Sequence, residues 1–181
     1  MAAVPTAPDL SDGLLLTSML NDYVLELANF LRSPPAAMMR QTVAQSIVTA
    51  TFTSLTMDTE EYDVFPSGGA KGHSTSVNTS RYTAVHPGYY NAVGVTSWAF
   101  NGTGARGGRW TLNGVALNAS VCLVQAVSAT QGTGVTIVGV RPYLSVGDYL
   151  ELQGFQASGG NLNTGVPAGS QSGWSIQFAG A

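Results

Sequence analysis

Two histidines, one cysteine and ten carboxylates are the side chains of this 181-residue chain best suited to acid–base, nucleophilic or metal chemistry. His73 falls in a Gly/Ser/Thr-rich stretch, and His86 in the turn Val85-His86-Pro87 ahead of Gly88. Neither has a second histidine or a cysteine at ligand spacing, so both read as solvated loop residues rather than metal ligands or general bases. Asp58, Glu60, Glu61 and Asp63 offer the hard oxygens that calcium takes. Without the Asp-x-Asp-x-Asp-Gly spacing of a calcium loop, they read as a solvated bend. Asp148 and Glu151 could form an acid–base pair, but Asp148 follows Gly147 in a turn, where its carboxylate is expected to bond the local backbone.

A lone cysteine excludes an intrachain disulfide, and Cys122 lies in the apolar run Ala119, Val121, Leu123, Val124, where a small buried hydrophobe fits. The chain has no Gly-x-Ser-x-Gly elbow, no phosphate-cradling Gly-Lys-Ser/Thr loop and no zinc-binding helix. The expectation is a protein that is not an enzyme and uses no cofactor or metal. Asn-x-Ser/Thr triplets begin at Asn78, Asn101 and Asn118, but a chain rich in these residues generates such matches by chance. Loop aromatics around Phe65, Trp110 or Tyr143 could stack on a sugar, although core or interface packing is the expected use of each.

Composition narrows the classes further. Only 9% of residues are charged, Lys71 is the single lysine, and the net charge is −3. The basic residues are scattered from Arg32 to Arg141, so there is no track for a phosphate backbone and nucleic acid is excluded as an expected partner. A surface this neutral is better tolerated when much of it is covered, which points to an oligomer. No apolar stretch is long enough to cross a bilayer, and the start lacks a basic n-region and an apolar h-region. The expected product is made in a cytoplasm and is not inserted in a membrane.

The elements that must position these residues divide the chain in three. Residues 1–35 combine an extended Pro-spaced lead (Val4-Pro5-Thr6-Ala7-Pro8) with a helix from Thr17, stopped by Pro34-Pro35. Leu20, Tyr23, Val24, Leu27, Phe30 and Leu31 recur at three- and four-residue steps on one face, with Asp22, Glu26, Asn29 and Arg32 opposite. About four turns of helix are marginal alone in water, so this one is expected to anchor against something. Residues 36–44 read as a linker. Residues 45–181 carry β-branched runs broken by turn signals such as Asn101-Gly102, Asn113-Gly114 and Ser158-Gly159-Gly160, the pattern of a sandwich or barrel. Trp174, Ile176 and Phe178 alternate with Ser175 and Gln177, giving a strand with one buried face. The run 88–100 is apolar on both sides, with Tyr90, Ala92, Trp98 and Phe100 against Tyr89, Val93 and Val95. A sandwich buries only one face of a strand, so the second face calls for a neighbouring subunit.

Tyr82, then Gly88-Tyr89-Tyr90 after the lead Thr83-Ala84-Val85-His86-Pro87, resembles the Gly-x-Tyr region of the C1q/TNF-like jelly roll. Val146-Gly147-Asp148-Tyr149-Leu150-Glu151-Leu152 is similar to that family's penultimate strand, and Trp174 to Gly180 to its closing strand, which runs beside the first; Phe52 to Tyr62 correspond to the early strand and acidic bend. The resemblance covers about Gln45 to Ala181. It implies a mainly β fold, a jelly-roll sandwich preceded by one short N-terminal helix, assembled as a homotrimer with Tyr89, Tyr90, Val93 and Val95 at the subunit interface. Where the family continues Gly-x-Tyr with further aromatics at alternate positions, this chain has Ala92 and Gly94.

Leu16-Thr17-Ser18-Met19-Leu20-Asn21-Asp22-Tyr23 and Ser33-Pro34-Pro35-Ala36-Ala37 resemble the leaders of phage minor tail and head-fibre proteins. That resemblance implies a virion structural protein made in the host cytoplasm, anchored to capsid or tail through Leu20, Tyr23, Val24, Leu27, Phe30 and Leu31. A knob that binds a host-surface glycan or protein, and a secreted C1q-like ligand, are the alternatives.

Overall fold

The computed structural model describes residues 17–65, 71–165, 167 and 169–181, so the extended lead expected over residues 4–8 lies outside the described residues. Helix α1 (Thr17–Arg32) forms where the apolar spacing places it, and the Ser33 N–H closes its last turn on the Asn29 carbonyl at 3.0 Å. Its apolar stripe is divided. Tyr23, Leu27 and Phe30 are half-buried, while Leu20, Val24 and Leu31 remain exposed. Phe30 packs on His86 and Phe178 with ring centroids 5.0 and 5.2 Å away, so this residue of the expected anchor is spent on the chain's own sandwich.

Among the described residues the strands are β1 (Ala36–Arg40), β2 (Ser46–Ile47), β3 (Thr53–Ser54), β4 (Thr59–Val64), β5 (Arg81–Thr83), β6 (Gly88–Trp98), β7 (Ala105–Leu112), β8 (Val115–Ala116), β9 (Cys122–Gln125), β10 (Thr133–Val140), β11 (Tyr143–Leu144), β12 (Tyr149–Gln156), β13 (Leu162–Asn163) and β14 (Gly173–Gly180). The first sheet runs β10-β6-β14-β1-β4, with β11 beside the start of β6; the second runs β3-β12-β7-β8, with β5 also on β12 and β9 on β7; β2 and β13 form a small third ladder. Pairing is antiparallel throughout these ladders.

Two expectations are corrected. The segment read as a linker, 36–44, contains β1, a central strand between β14 and β4, and the Pro35 carbonyl accepts the Phe178 N–H at 2.8 Å. Ala36-Ala37-Met38-Met39 has no β-branched residue to signal a strand, yet Ala37 and Met39 are buried in strict alternation with exposed Met38. Three residues of the acidic cluster, Glu60, Glu61 and Asp63, likewise lie on a strand, β4, and not in a solvated bend, while Asp58 precedes it and accepts from Thr42 and Val43. Its charges are taken up by partners: Arg40 pairs with Glu61, and Lys71 with Glu60.

Between the sheets lies one core built on Trp98, Trp110 and Trp174 with Tyr82, Tyr90, Met39 and Ile137. Trp110 meets Trp174 edge-on at 5.3 Å. The Asn113-Gly114 turn between β7 and β8 takes φ of 51° and 79°, the pair of positive values that a two-residue hairpin requires.

Candidate functional site

The residues with chemical potential are dispersed, and each is engaged in holding the fold. His73 is buried, not solvated: its Nδ1 lies 3.1 Å from Glu60 Oε1, its Nε2 3.0 Å from the Thr79 carbonyl, and its backbone N–H donates to Asp63 Oδ2 at 2.7 Å. Burial alone would raise the Glu60 carboxyl, but hydrogen bonds from Lys71 and His73 and their charges outweigh it and hold that group below the usual range. Desolvation wins at Asp63 and pushes its carboxyl up. His86 is buried as well, beneath Phe30 and Phe178, and burial holds its imidazole below the ordinary value. The partners that cover His86, Phe30 and Phe178, lie far away in the chain, whereas His73 is buried through the nearby strand β4, which carries no strand signature in its acidic residues.

Asp148 accepts from the Ser145 N–H and from Asn113 Nδ2, both at 2.8 Å, as a turn carboxylate should, and it does not face Glu151. Glu151 is turned to the outside of the second sheet, where Ser54, Ser80 and Arg81 all donate to it. Cys122 is half-buried rather than buried, its sulfur accepting the Val138 N–H at 3.3 Å. Among the described residues no group of three or more His, Cys, Asp or Glu converges as metal ligands would. Trp110 is core, and Tyr143 stacks edge-on against Tyr89 at 5.3 Å.

Surface character differs between the two sheets, and that difference locates the candidate site. The outer face of the second sheet is finished by its own side chains. Arg81 lies over Tyr149 at 3.9 Å and Arg109 over Phe52 at 4.0 Å, while Arg109 donates to Gln153 and Gln153 to Ser54 in the network that ends on Glu151. The outer face of the first sheet is covered only at its margins, where Arg141 lies over Tyr89 at 5.6 Å and Arg40 pairs with Glu61. Strand register sets Tyr62 (β4) across from Met38 (β1), Met38 from Ser175 (β14), and Ser175 from Val93 (β6), a single row across four strands. Val95 and Tyr89 flank this row along β6, and Val138 lies on the neighbouring β10. Val93 is 55% exposed, and Met38, Tyr62, Tyr89 and Val138 are exposed too. A groove of about 370 Å³ runs over this face between Met38, Val93, Val95 and Thr136.

Of the four residues expected to meet a neighbouring subunit, Tyr89, Val93 and Val95 lie on this outer face, and Tyr90 does not. Tyr90 is 0% exposed and donates its hydroxyl to the His86 carbonyl at 2.8 Å. Consecutive strand residues point to opposite sides, so Tyr89 and Tyr90 cannot serve the same face. Met38 and Tyr62, which complete the row, were missed because β1 and β4 were not recognised as strands of this sheet. A second apolar edge lies on β8, β9 and the residue just before β9, where Val115, Val121, Leu123 and Val124 are exposed.

Comparison with known proteins bears on the fold. No protein-family model matches the chain, and no curated protein matches it in sequence. Among solved structures, the chain is similar to the globular domain of zebrafish complement 1qA protein (15% identity, 80% of this chain and 96% of that one, TM-score 0.54). It is also similar to murine APRIL (10% identity, 80% and 98% covered, TM-score 0.56) and to Eiger TNF from S. frugiperda (12% identity, 81% and 95% covered, TM-score 0.54). The fold is thus a C1q/TNF-like jelly-roll sandwich with one short helix before it.

Proposed function

We propose that this chain is a non-enzymatic assembly protein, a homotrimer closed through the outer face of its first sheet. The observation that carries the reading is the row Tyr62, Met38, Val93 with Val95 and Val138. It is a largely apolar surface, interrupted by Ser175, on a sheet whose counterpart has covered more of its outer face with cation–π pairs and hydrogen bonds. A sheet face of this kind is completed by packing against another apolar surface. Rings built by rotation need two different surfaces on each subunit, and the exposed Val121 and Leu123, two residues apart on one side of the chain, supply the second. Likeness to C1q and TNF domains supports the same arrangement.

In this reading α1 is the attachment device of a virion structural protein, a capsid decoration, head fibre or minor tail protein, as the resemblance of residues 16–37 to phage leaders suggests. Its exposed stripe Leu20, Val24 and Leu31 meets the particle, while Phe30 fixes the helix to the sandwich. Three such anchors in one trimer bind by avidity rather than by strong single contacts. The test is removal of residues 1–33, which keeps the Pro35 carbonyl that bonds Phe178. The truncated protein is expected to form the same trimer and to be lost from particles purified from infected cells. Undiminished incorporation, measured by electron microscopy of labelled particles, contradicts the anchor.

A further inference from the structure

A groove of about 680 Å³ opens where β6 ends, lined by Trp98, Phe100, Asn163, Thr164, Pro167 and Ser170 with their neighbours. α1 touches the other end of the same strand, through His86 beside Gly88, and eleven residues of β6 separate the two points by about 35 Å. The groove is therefore on the end of the sandwich away from the proposed attachment.

Its lining specifies the chemistry of a ligand. Phe100 is 63% exposed, and the residue at its ring edge is Gly132, whose missing Cβ would stand 3.6 Å from Phe100 Cε1. An aromatic ring open to water in this way is a stacking platform. The Asn163 side-chain amide makes no hydrogen bond among the described residues, and the Ser170 hydroxyl makes only a long one, 3.4 Å to Ser97 Oγ. Among the described residues no Asp, Glu, Lys or Arg lines the groove, so an ionic ligand finds no counter-charge there. The rim is held in place from below. Arg106, completely buried, donates to the carbonyls of Asn101, Thr103 and Ala105 and to Asn101 Oδ1 at 2.9–3.0 Å, which fixes the loop that carries Phe100. A preformed site loses less entropy on binding.

We propose that this groove binds a neutral sugar unit of a glycan, with Phe100 stacked on the apolar face of the pyranose and Asn163 and Ser170 hydrogen-bonding its hydroxyls. The proposal gives the far end of the assembly a ligand and does not depend on which particle carries it.

The full chain is applied to an array of neutral and sialylated glycans, followed by saturation-transfer NMR with the methyl glycosides of glucose, galactose and N-acetylglucosamine. Binding to neutral glycans is expected, weakened at least about tenfold by Phe100→Ala and by Asn163→Ala, with subunit mass and thermal midpoint unchanged. The absence of any neutral-sugar binding overturns the proposal, as does binding indifferent to both substitutions or confined to sialylated glycans. Because the NMR arm reads single-site binding, a chain that failed to form trimers contradicts the proposed assembly and still tests the groove.

Discussion

Met38 and Tyr62 stand directly across from each other on β1 and β4, both exposed on the same face of the first sheet. Directly opposed side chains on one face lie within about 5 Å at Cβ, so the pair forms one apolar surface rather than two isolated hydrophobes. Replacing Met38 or Val93 by Asp puts an unpaired carboxylate in the proposed interface, at a cost of about 3–5 kcal/mol if the face is buried. The expected result is a monomer with an unaltered far-ultraviolet circular dichroism spectrum, read by light scattering after gel filtration. A variant that unfolds instead assigns these residues to the protomer's own stability.

Trp110 carries the largest expected stability effect. It is completely buried against Trp174, and its indole N–H donates to the Val138 carbonyl at 2.8 Å. Trp110→Ala removes that bond, the ring contact and the buried area together, for an expected loss of about 3–5 kcal/mol. Urea unfolding of the Met38→Asp monomer measures it without contributions from assembly. A loss below about 1 kcal/mol contradicts the placement of the core.

Gly88 tests the join between α1 and the sandwich. Its φ is 152°, and an added Cβ would meet the Phe178 ring and the Gly180 carbonyl oxygen. Gly88→Ala is expected to destabilise by about 1–3 kcal/mol and to displace Phe178 from Phe30. The readout is the thermal midpoint together with the ring-current-shifted resonances of Phe30. Gly134, where an added Cβ meets nothing within 4 Å, is the control position.

Acid sensitivity follows from the turn carboxylates. Burial works to raise Asp58, but donors from Thr42, Val43 and Thr59 overcome it and hold its pKa down. Bonds from Asn113 and Ser145 lower Asp148. A carboxylate whose pKa is depressed on folding contributes stability above its unfolded value, about 3.9, and loses that contribution as pH falls through the folded value. The thermal midpoint is therefore expected to fall below about pH 4 on account of these two groups together with Glu60, held down against the effect of burial by Lys71 and His73, and Asp58→Asn should make that limb shallower. Asp63, raised by burial, acts in the opposite sense, favouring the fold as it protonates.

The sequence was most informative where a short-range rule decides the outcome. Apolar spacing gave α1, the Asn113-Gly114 signal gave the hairpin turn, and alternation gave β14 with Trp174 and Ile176 inward. Elements defined by distant partners were not legible. β1 is a strand only because β14 and β4 flank it, and Ala36-Ala37-Met38-Met39 has no strand signature of its own. The acidic strand β4 is acceptable at a sheet edge only because Arg40 and Lys71 reach its carboxylates. His86 is buried by Phe30 and Phe178, both far away in the chain, and His73 by its bonds to Glu60 and Asp63 of β4. The candidate face was legible along β6, whose excess of apolar residues was visible, and invisible across its neighbours.

The most direct test of the assembly is the mass of the full chain by sedimentation equilibrium at micromolar concentration. The account predicts a single species of about 56 kDa, three times the 18.7 kDa chain. A stable, well-folded species of 18.7 kDa, with the Met38 and Val93 face left to water, contradicts it.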